Sequence, residues 1–223
     1  METIAILAAF NLENKIQEIV KRTQNYVDLV IVVTDGSNDN THVMASQIGA
    51  LCPPHTYVRG KGFAIRKGIE FSKRFNTKYI VLLDADGQHL PEEIPNIINP
   101  LINHNAGMVI GSRMKGKLRT STINKIGNIG LKIISFVVTG KWITDTESGF
   151  RALKAKDLYN LTLEAMSYDI ESDFLLKALH NNLKIIEVPI TVPTSVPGVT
   201  VKDGFKIGLF KIKVGLRLKI KGG

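Results

Sequence analysis

Four short apolar runs rich in β-branched residues, separated by helix-length segments, restrict what this chain can fold into. They are Ile4–Ala8, Val27–Val33, Tyr79–Leu83 and Met108–Gly111. Between them, Glu13–Arg22 carries helical spacing at Ile16, Ile19 and Val20, Thr41–Ile48 reads as a helix, and Phe63–Phe75 is amphipathic. A weak strand near Thr56–Val58 leads into Gly60-Lys61-Gly62. Pro91 opens another helix, with Glu92 and Glu93 in the first turn where the helix dipole favours acids. The second half is less regular, with helices about Ile123–Val138 and Ser172–His180 and a strand over Lys184–Val192. This alternation predicts an α/β chain: a Rossmann-like, mostly parallel central sheet covered by helices on both faces. A chain of 223 residues is long enough for one sizeable core and rather short for two.

Such a sheet holds ligands beyond the carboxyl ends of its strands. Asp84-Ala85-Asp86-Gly87-Gln88 leaves the end of Tyr79–Leu83 at that edge. Paired hard oxygen ligands there suit Mg²⁺ or Mn²⁺ shared with substrate phosphates. The plainer alternative is that the aspartates cap the helix after Pro91. Two other loops reach the same edge. In Thr34-Asp35-Gly36-Ser37, Asp35 is a candidate acceptor for a nucleotide base or ribose, and in Gly60-Lys61-Gly62, Lys61 and Arg66 are candidates for phosphate. In isolation each of these loops also reads as an ordinary turn.

Cys52 is the single cysteine, which excludes a disulfide framework and a multi-cysteine zinc site and fits a reducing, cytosolic compartment. The start lacks signal-peptide features, and no apolar run reaches membrane-spanning length. The net charge of +9 is concentrated late: residues 201–223 hold seven basic and one acidic residue, against 22 and 19 in the first 200. The chain thus divides into a nearly balanced body, 1–200, and a basic tail, 201–223. From Lys211 the tail alternates, with Ile212, Val214, Leu216, Leu218 and Ile220 on one side and Lys213, Arg217, Lys219 and Lys221 on the other. Period two is strand-like. Apolar residues interleaved with Lys and Arg suit an anionic lipid surface, and an edge element protected by lysines is the alternative. The basic residues come without an RNA-binding motif or stacking aromatics, so no nucleic-acid partner is expected.

Taken in order, Val33–Thr41, Gly60–Gly68, Leu83–His89 and Gly111-Ser112-Arg113 resemble the family 2 glycosyltransferases of GT-A fold. Asp145-Thr146-Glu147-Ser148-Gly149-Phe150-Arg151-Ala152 and Tyr168–Ala178 resemble the dolichol-phosphate mannose synthase-like branch, which makes polyprenyl-phosphate sugars. The resemblance implies that Ala8, Phe10 and Glu13 border the nucleotide, that Asp35 binds its base, and that Lys61 lies near phosphate. It implies that Asp84, Asp86 and Gln88 hold the metal against a diphosphate, and that Arg113 and Arg151 face the phosphates of donor or acceptor. Asp86, Arg113 and Arg151 are then the catalytic candidates. His89 sits near the site as a supporting or solvent-facing group. The resemblance also implies that the tail is a membrane-lying helix, against its own alternation.

The implied reaction moves a sugar, with inversion, from a UDP- or GDP-sugar to a polyprenyl (dolichyl-type) phosphate at the cytosolic membrane face. A saccharide or protein acceptor, a nucleotidyltransferase, and a non-catalytic relative are the alternatives. The chain departs from the pattern in several places. Ala8–Glu13 lacks the usual Pro, Tyr and second Glu, and Thr34 replaces an aspartate. Ser195–Val201 lacks an Arg and a Lys, so one basic phosphate contact is either missing or supplied elsewhere, with Lys202 as the candidate.

Overall fold

The computed structural model describes residues 1–54, 59–116, 122–193 and 201–221, without the side chains of 122–129, 201–202 and 219–221. The strand expected near Thr56–Val58, the Ser195–Thr200 segment and the Lys202 side chain therefore lie outside the described residues.

Strand β1 (Thr3–Ala9) lies between β2 (Leu29–Thr34) and β3 (Tyr79–Asp84) and runs parallel to both. β4 (Met108–Ser112) and β6 (Ile185–Pro189) are parallel to each other. β5 (Arg151–Lys154) runs antiparallel between β3 and β4, giving the order β2-β1-β3-β5-β4-β6. The sheet is thus mostly parallel, as expected. The reversed β5 was not foreseen, because Arg-Ala-Leu-Lys offers no apolar run. It becomes a strand by filling the gap between two formed ones.

The helices are α1 (Ile16–Gln24), α2 (Thr41–Gln47), α3 (Lys61–Ser72), α4 (Ile94–Asn103), α5 (Thr122–Thr139), α6 (Ala155–Tyr159), α7 (Ile170–His180) and α8 (Val201–Lys221). Pro91–Glu93 forms a short 3₁₀ turn leading into α4. Because successive strand residues face opposite sides, β1 contributes to two cores. Ala5, Leu7 and Ala9 pack with Ile16, Ile19 and Val20 of α1 and Ile94, Ile97 and Leu101 of α4. Ile4 and Ile6 pack with Ala64, Ile65 and Ile69 of α3 and Phe174 and Leu175 of α7. Each fully buried Ile or Leu contributes roughly 1.5–3 kcal/mol. Two greasy layers therefore fix the position of the strand ends.

The basic tail is the helix α8, packed on α5 and α7. Its buried face is Ile207, Lys211 and Val214, at helical spacings of four and three. Lys211 is fully buried. Its Nζ donates to Glu147 Oε1 (2.6 Å), Ser135 Oγ (2.7 Å), Thr146 Oγ1 (3.1 Å) and the Leu131 carbonyl (3.2 Å). A polar hub thus occupies the middle of an otherwise apolar helix contact, and burial pulls the Lys211 pKa below its ordinary value against the pull of Glu147. Among the described residues, no helix is long and apolar enough to cross a membrane.

Removing the ammonium leaves the Glu147 carboxylate, whose side chain is only 7% exposed, without a paired cation. Lys211→Ala is expected to lower unfolding stability by about 3–5 kcal/mol in urea titrations. Adding Glu147→Gln to the same chain should recover part of that loss.

Candidate active site

Three strand ends meet at one edge of the sheet. Ala8 of β1 pairs in register with Asp84 of β3, and Ala9 pairs with Thr34 of β2. The loops that follow carry Phe10, Asp35 and Asp86. Asp86 is folded back onto its own turn: Oδ1 accepts from the Gln88 backbone N–H at 2.9 Å, and Oδ2 accepts from the Gln88 side-chain amide. Gln88, whose side-chain amide N–H is turned to Asp86, carries a hard oxygen of its own beside the aspartate pair. Among the described residues, no group of three or more His, Cys, Asp or Glu converges to cage a metal. The donor set fits Mg²⁺ or Mn²⁺, which commonly keep water and substrate oxygens in their shells.

Asp84 is held from several sides. Lys61, the first residue of α3, places Nζ 2.6 Å from Asp84 Oδ1 and 2.7 Å from Glu171 Oε1 of α7. Burial opposes ionisation of Asp84, but the Lys61 ammonium, helped by Arg113, outweighs it and holds the carboxyl down at about 2. Burial also opposes the charge on Lys61, and its two carboxylate neighbours still keep its pKa above the ordinary lysine value. Glu171, unlike Asp84, is shifted upward, by burial and by the nearby Asp84 charge. Gly149 closes over the group. A Cβ there would lie 2.7 Å from Asp84 Oδ2 and 3.0 Å from Lys61 Nζ, so only glycine fits without displacing them.

His89 is 1% exposed and stacks on Phe150 at 5.1 Å. Its Nδ1 accepts from the Asp84 backbone N–H at 2.9 Å, and burial lowers its pKa. The ring is a neutral support for the aspartate loop, not a solvent-facing group.

The two arginines part company. Arg113 grips Asp145 through a fork, Nε to Oδ2 and Nη2 to Oδ1 at 2.8 Å each, while its backbone N–H donates to Oδ2 at 2.9 Å. Its side chain remains 20% exposed at the site. Asp145 is anchored in turn by Glu187 of β6, which accepts from the Thr144 and Asp145 backbone N–H groups. Arg151 is placed otherwise than the resemblance implied. It is 1% exposed, and it donates to the carbonyls of Ser148 (2.8 Å), Glu171 (2.6 Å) and Thr146 (2.8 Å). With its donors spent on backbone oxygens, Arg151 fastens the 146–148 loop to the start of α7 and does not present its charge to the cleft.

On the nucleotide side, Phe10 is half exposed and offers an open aromatic face. Asp35 accepts from the backbone N–H groups of Arg59 (2.9 Å) and Gly60 (2.8 Å), tying the β2 loop to the start of α3. Gly60 has φ 102° and sits so close to Met166 that a Cβ would meet its carbonyl oxygen at 2.5 Å, which fixes the entry of the Lys61 helix. Glu13 fastens the loop before α2, accepting from the Asn40 backbone N–H at 3.0 Å. The structure thus gathers Ala8, Lys61, Asp84, Asp86, Gln88 and Arg113 at one edge, gives Asp35 and Glu13 loop-fastening contacts, and sets Arg151 in the interior. Glu171 and Gly149 were missed as individual residues. Both lie inside segments that the resemblance singled out, but their role at Asp84 depends on folding.

The family model described as glycosyl transferase family 2 matches residues 4–162. The chain is 33% identical to the UDP-N-acetylglucosamine–dolichyl-phosphate N-acetylglucosaminyltransferase of Methanococcus voltae, covering 94% of this chain and 95% of that protein. It is 28% identical to the polyprenol monophosphomannose synthase of Mycolicibacterium smegmatis, covering 94% and 85%. Among solved structures, glucosyl-3-phosphoglycerate synthase from Mycobacterium tuberculosis, in complex with Mn²⁺, UDP and glucosyl-3-phosphoglycerate, superposes with a TM-score of 0.76 at 18% identity. That match covers 97% of this chain and 79% of that one. The fold is therefore the GT-A fold, and the chain is a glycosyltransferase that belongs to family 2.

Proposed function

We propose that the protein transfers a sugar from a UDP- or GDP-sugar to a polyprenyl phosphate, with inversion, at the cytosolic face of a membrane. The observation that carries this reading is the Asp84–Asp86 pair at the end of β3, with Lys61 and Arg113 beside it. Two acids and two cations at one edge suit a diphosphate that arrives with a metal and leaves with added charge. The Methanococcus and Mycolicibacterium relatives, whose names specify dolichyl and polyprenol acceptors, support the lipid phosphate.

A divalent cation held by Asp84, Asp86 and Gln88 would supply charge stabilisation for the departing diphosphate. The chain's own residues do the rest. Lys61 and Arg113 add positive charge in a partly dehydrated setting, where it acts more strongly than in water. Phe10 offers a stacking surface for the base. His89 holds the Asp84 backbone and takes no proton from substrate. None need be taken, because a lipid phosphate is already an anion and its oxygen can attack the anomeric carbon directly.

The membrane contact is assigned to α8 and α5. Phe205, Leu209, Ile212 and Leu216 form one exposed stripe on α8 at spacings of four, three and four, with exposed Lys206 and Lys213 alongside. Ile133, Phe136 and Val137 of the adjoining α5, and Trp142 beyond it, are exposed as well. An apolar stripe flanked by lysines is the pattern of a helix lying in a lipid interface, and each basic residue near an anionic surface adds roughly 1 kcal/mol.

With Mg²⁺ or Mn²⁺, a panel of labelled UDP- and GDP-sugars and dolichyl phosphate, label should become lipid-extractable. Asp86→Ala should reduce that rate by about 10²-fold or more. Label found only in water-soluble product contradicts the acceptor. Gly149→Ala should lower the rate by up to about 10²-fold by displacing Asp84 and Lys61, with the far-UV spectrum unchanged. In flotation with phosphatidylserine vesicles, the Leu209→Glu, Ile212→Glu double variant should lose binding that the parent shows. Equal flotation of the two contradicts the docking face.

A further inference from the structure

The Lys61 ammonium occupies the position from which Asp84 would receive a cation. It lies 2.6 Å from Asp84 Oδ1 and 2.7 Å from Glu171 Oε1. Gly149 presses on the same group from one side, and His89 holds the backbone of Asp84 from another. Asp84 therefore has little freedom to turn towards a second cation. A metal on this carboxylate and the ammonium beside it repel each other at close range, in a setting where water screens them poorly.

The contact with Glu171 is a short ion pair. Despite its short distance, Glu171 Oε1 has no hydrogen bond of good geometry and is one of two such buried side-chain oxygens among the described residues. The ammonium is therefore held by charge more than by directed bonds, and a lysine stem has the reach to move. Lys61 also opens α3, a 12-residue helix whose dipole favours an anion at that end. A diphosphate arriving there brings the ammonium a new anion.

We infer that Lys61 is a built-in counter-ion that competes with the divalent cation for Asp84, and that the donor's diphosphate resolves the competition by drawing the ammonium onto itself. The inference rests on the proposed metal role of Asp84 and Asp86. It makes metal and nucleotide binding mutually dependent: either alone meets a closed site, and together they open it. Such coupling is reciprocal, so the nucleotide must raise metal affinity by the same factor as the metal raises nucleotide affinity. After transfer, departure of the diphosphate returns Lys61 to Asp84 and weakens the hold on the metal.

The test is Mn²⁺ binding to the full chain, followed by the EPR signal of free Mn²⁺, with and without UDP or GDP. In the parent, Mn²⁺ alone should bind weakly, and nucleotide should tighten it by about tenfold or more. Lys61→Met should bind Mn²⁺ alone about tenfold more tightly than the parent and lose most of the nucleotide effect. Mn²⁺ binding by Lys61→Met no tighter than by the parent overturns the inference and leaves the metal role of the aspartates standing. No Mn²⁺ binding by the parent even with nucleotide overturns both. Should Lys61→Met fail to fold, amine acetylation of the parent read by peptide mass mapping decides the matter. Mn²⁺ raised to saturation, as read by the EPR signal, should increase labelling of Lys61 several-fold, and unchanged labelling at saturation overturns the inference.

Discussion

A carboxylate at the end of a buried strand stays ionised only where the fold brings positive charge to it. Asp84 is that carboxylate, and much of the architecture serves the charges around it. Lys61 reaches it because Asp35 and Gly60 fix the start of α3. Arg113 contributes because Asp145 holds its fork and Glu187 holds Asp145. Glu171 is present because Arg151 binds the first turn of α7 to the 146–148 loop. The site is thus a ring of alternating charges whose members come from β3, α3, α7, the loop after β4 and the loop before β5.

That ring extends to the surface. Glu147, two residues before Gly149, is bonded to Lys211 in the middle of α8. The helix whose outer stripe is apolar and basic is therefore fastened, through one buried ammonium, to the loop that covers Asp84. Removing the tail would release more than the proposed membrane contact, because it would also take away the cation paired with Glu147.

Much of this was legible in the chain. The apolar runs marked β1 to β4, and the aspartate pair stood where a parallel sheet places ligands. What stayed hidden depended on long-range contacts. Arg151 looked like a phosphate ligand because its motif lies among functional residues, yet three carbonyls claim it and bury it. β5 lacked a strand signature because neighbours on both sides supply its stability. The tail alternated like a strand, but a lysine occupies the core position that completes its helical face, and residue chemistry alone would have put that lysine in water. Glu171 sat in a recognised acidic segment, but its role as second partner of Lys61 exists only once α3 and α7 are side by side.

The central claim is direct displacement at the anomeric carbon by a lipid phosphate within this charge ring. The configuration of the lipid-linked product tests it most directly. Proton NMR of the sugar–phosphate linkage made by the purified protein should show the anomeric configuration opposite to that of the nucleotide-sugar donor. A product with the donor's configuration retained would contradict the account.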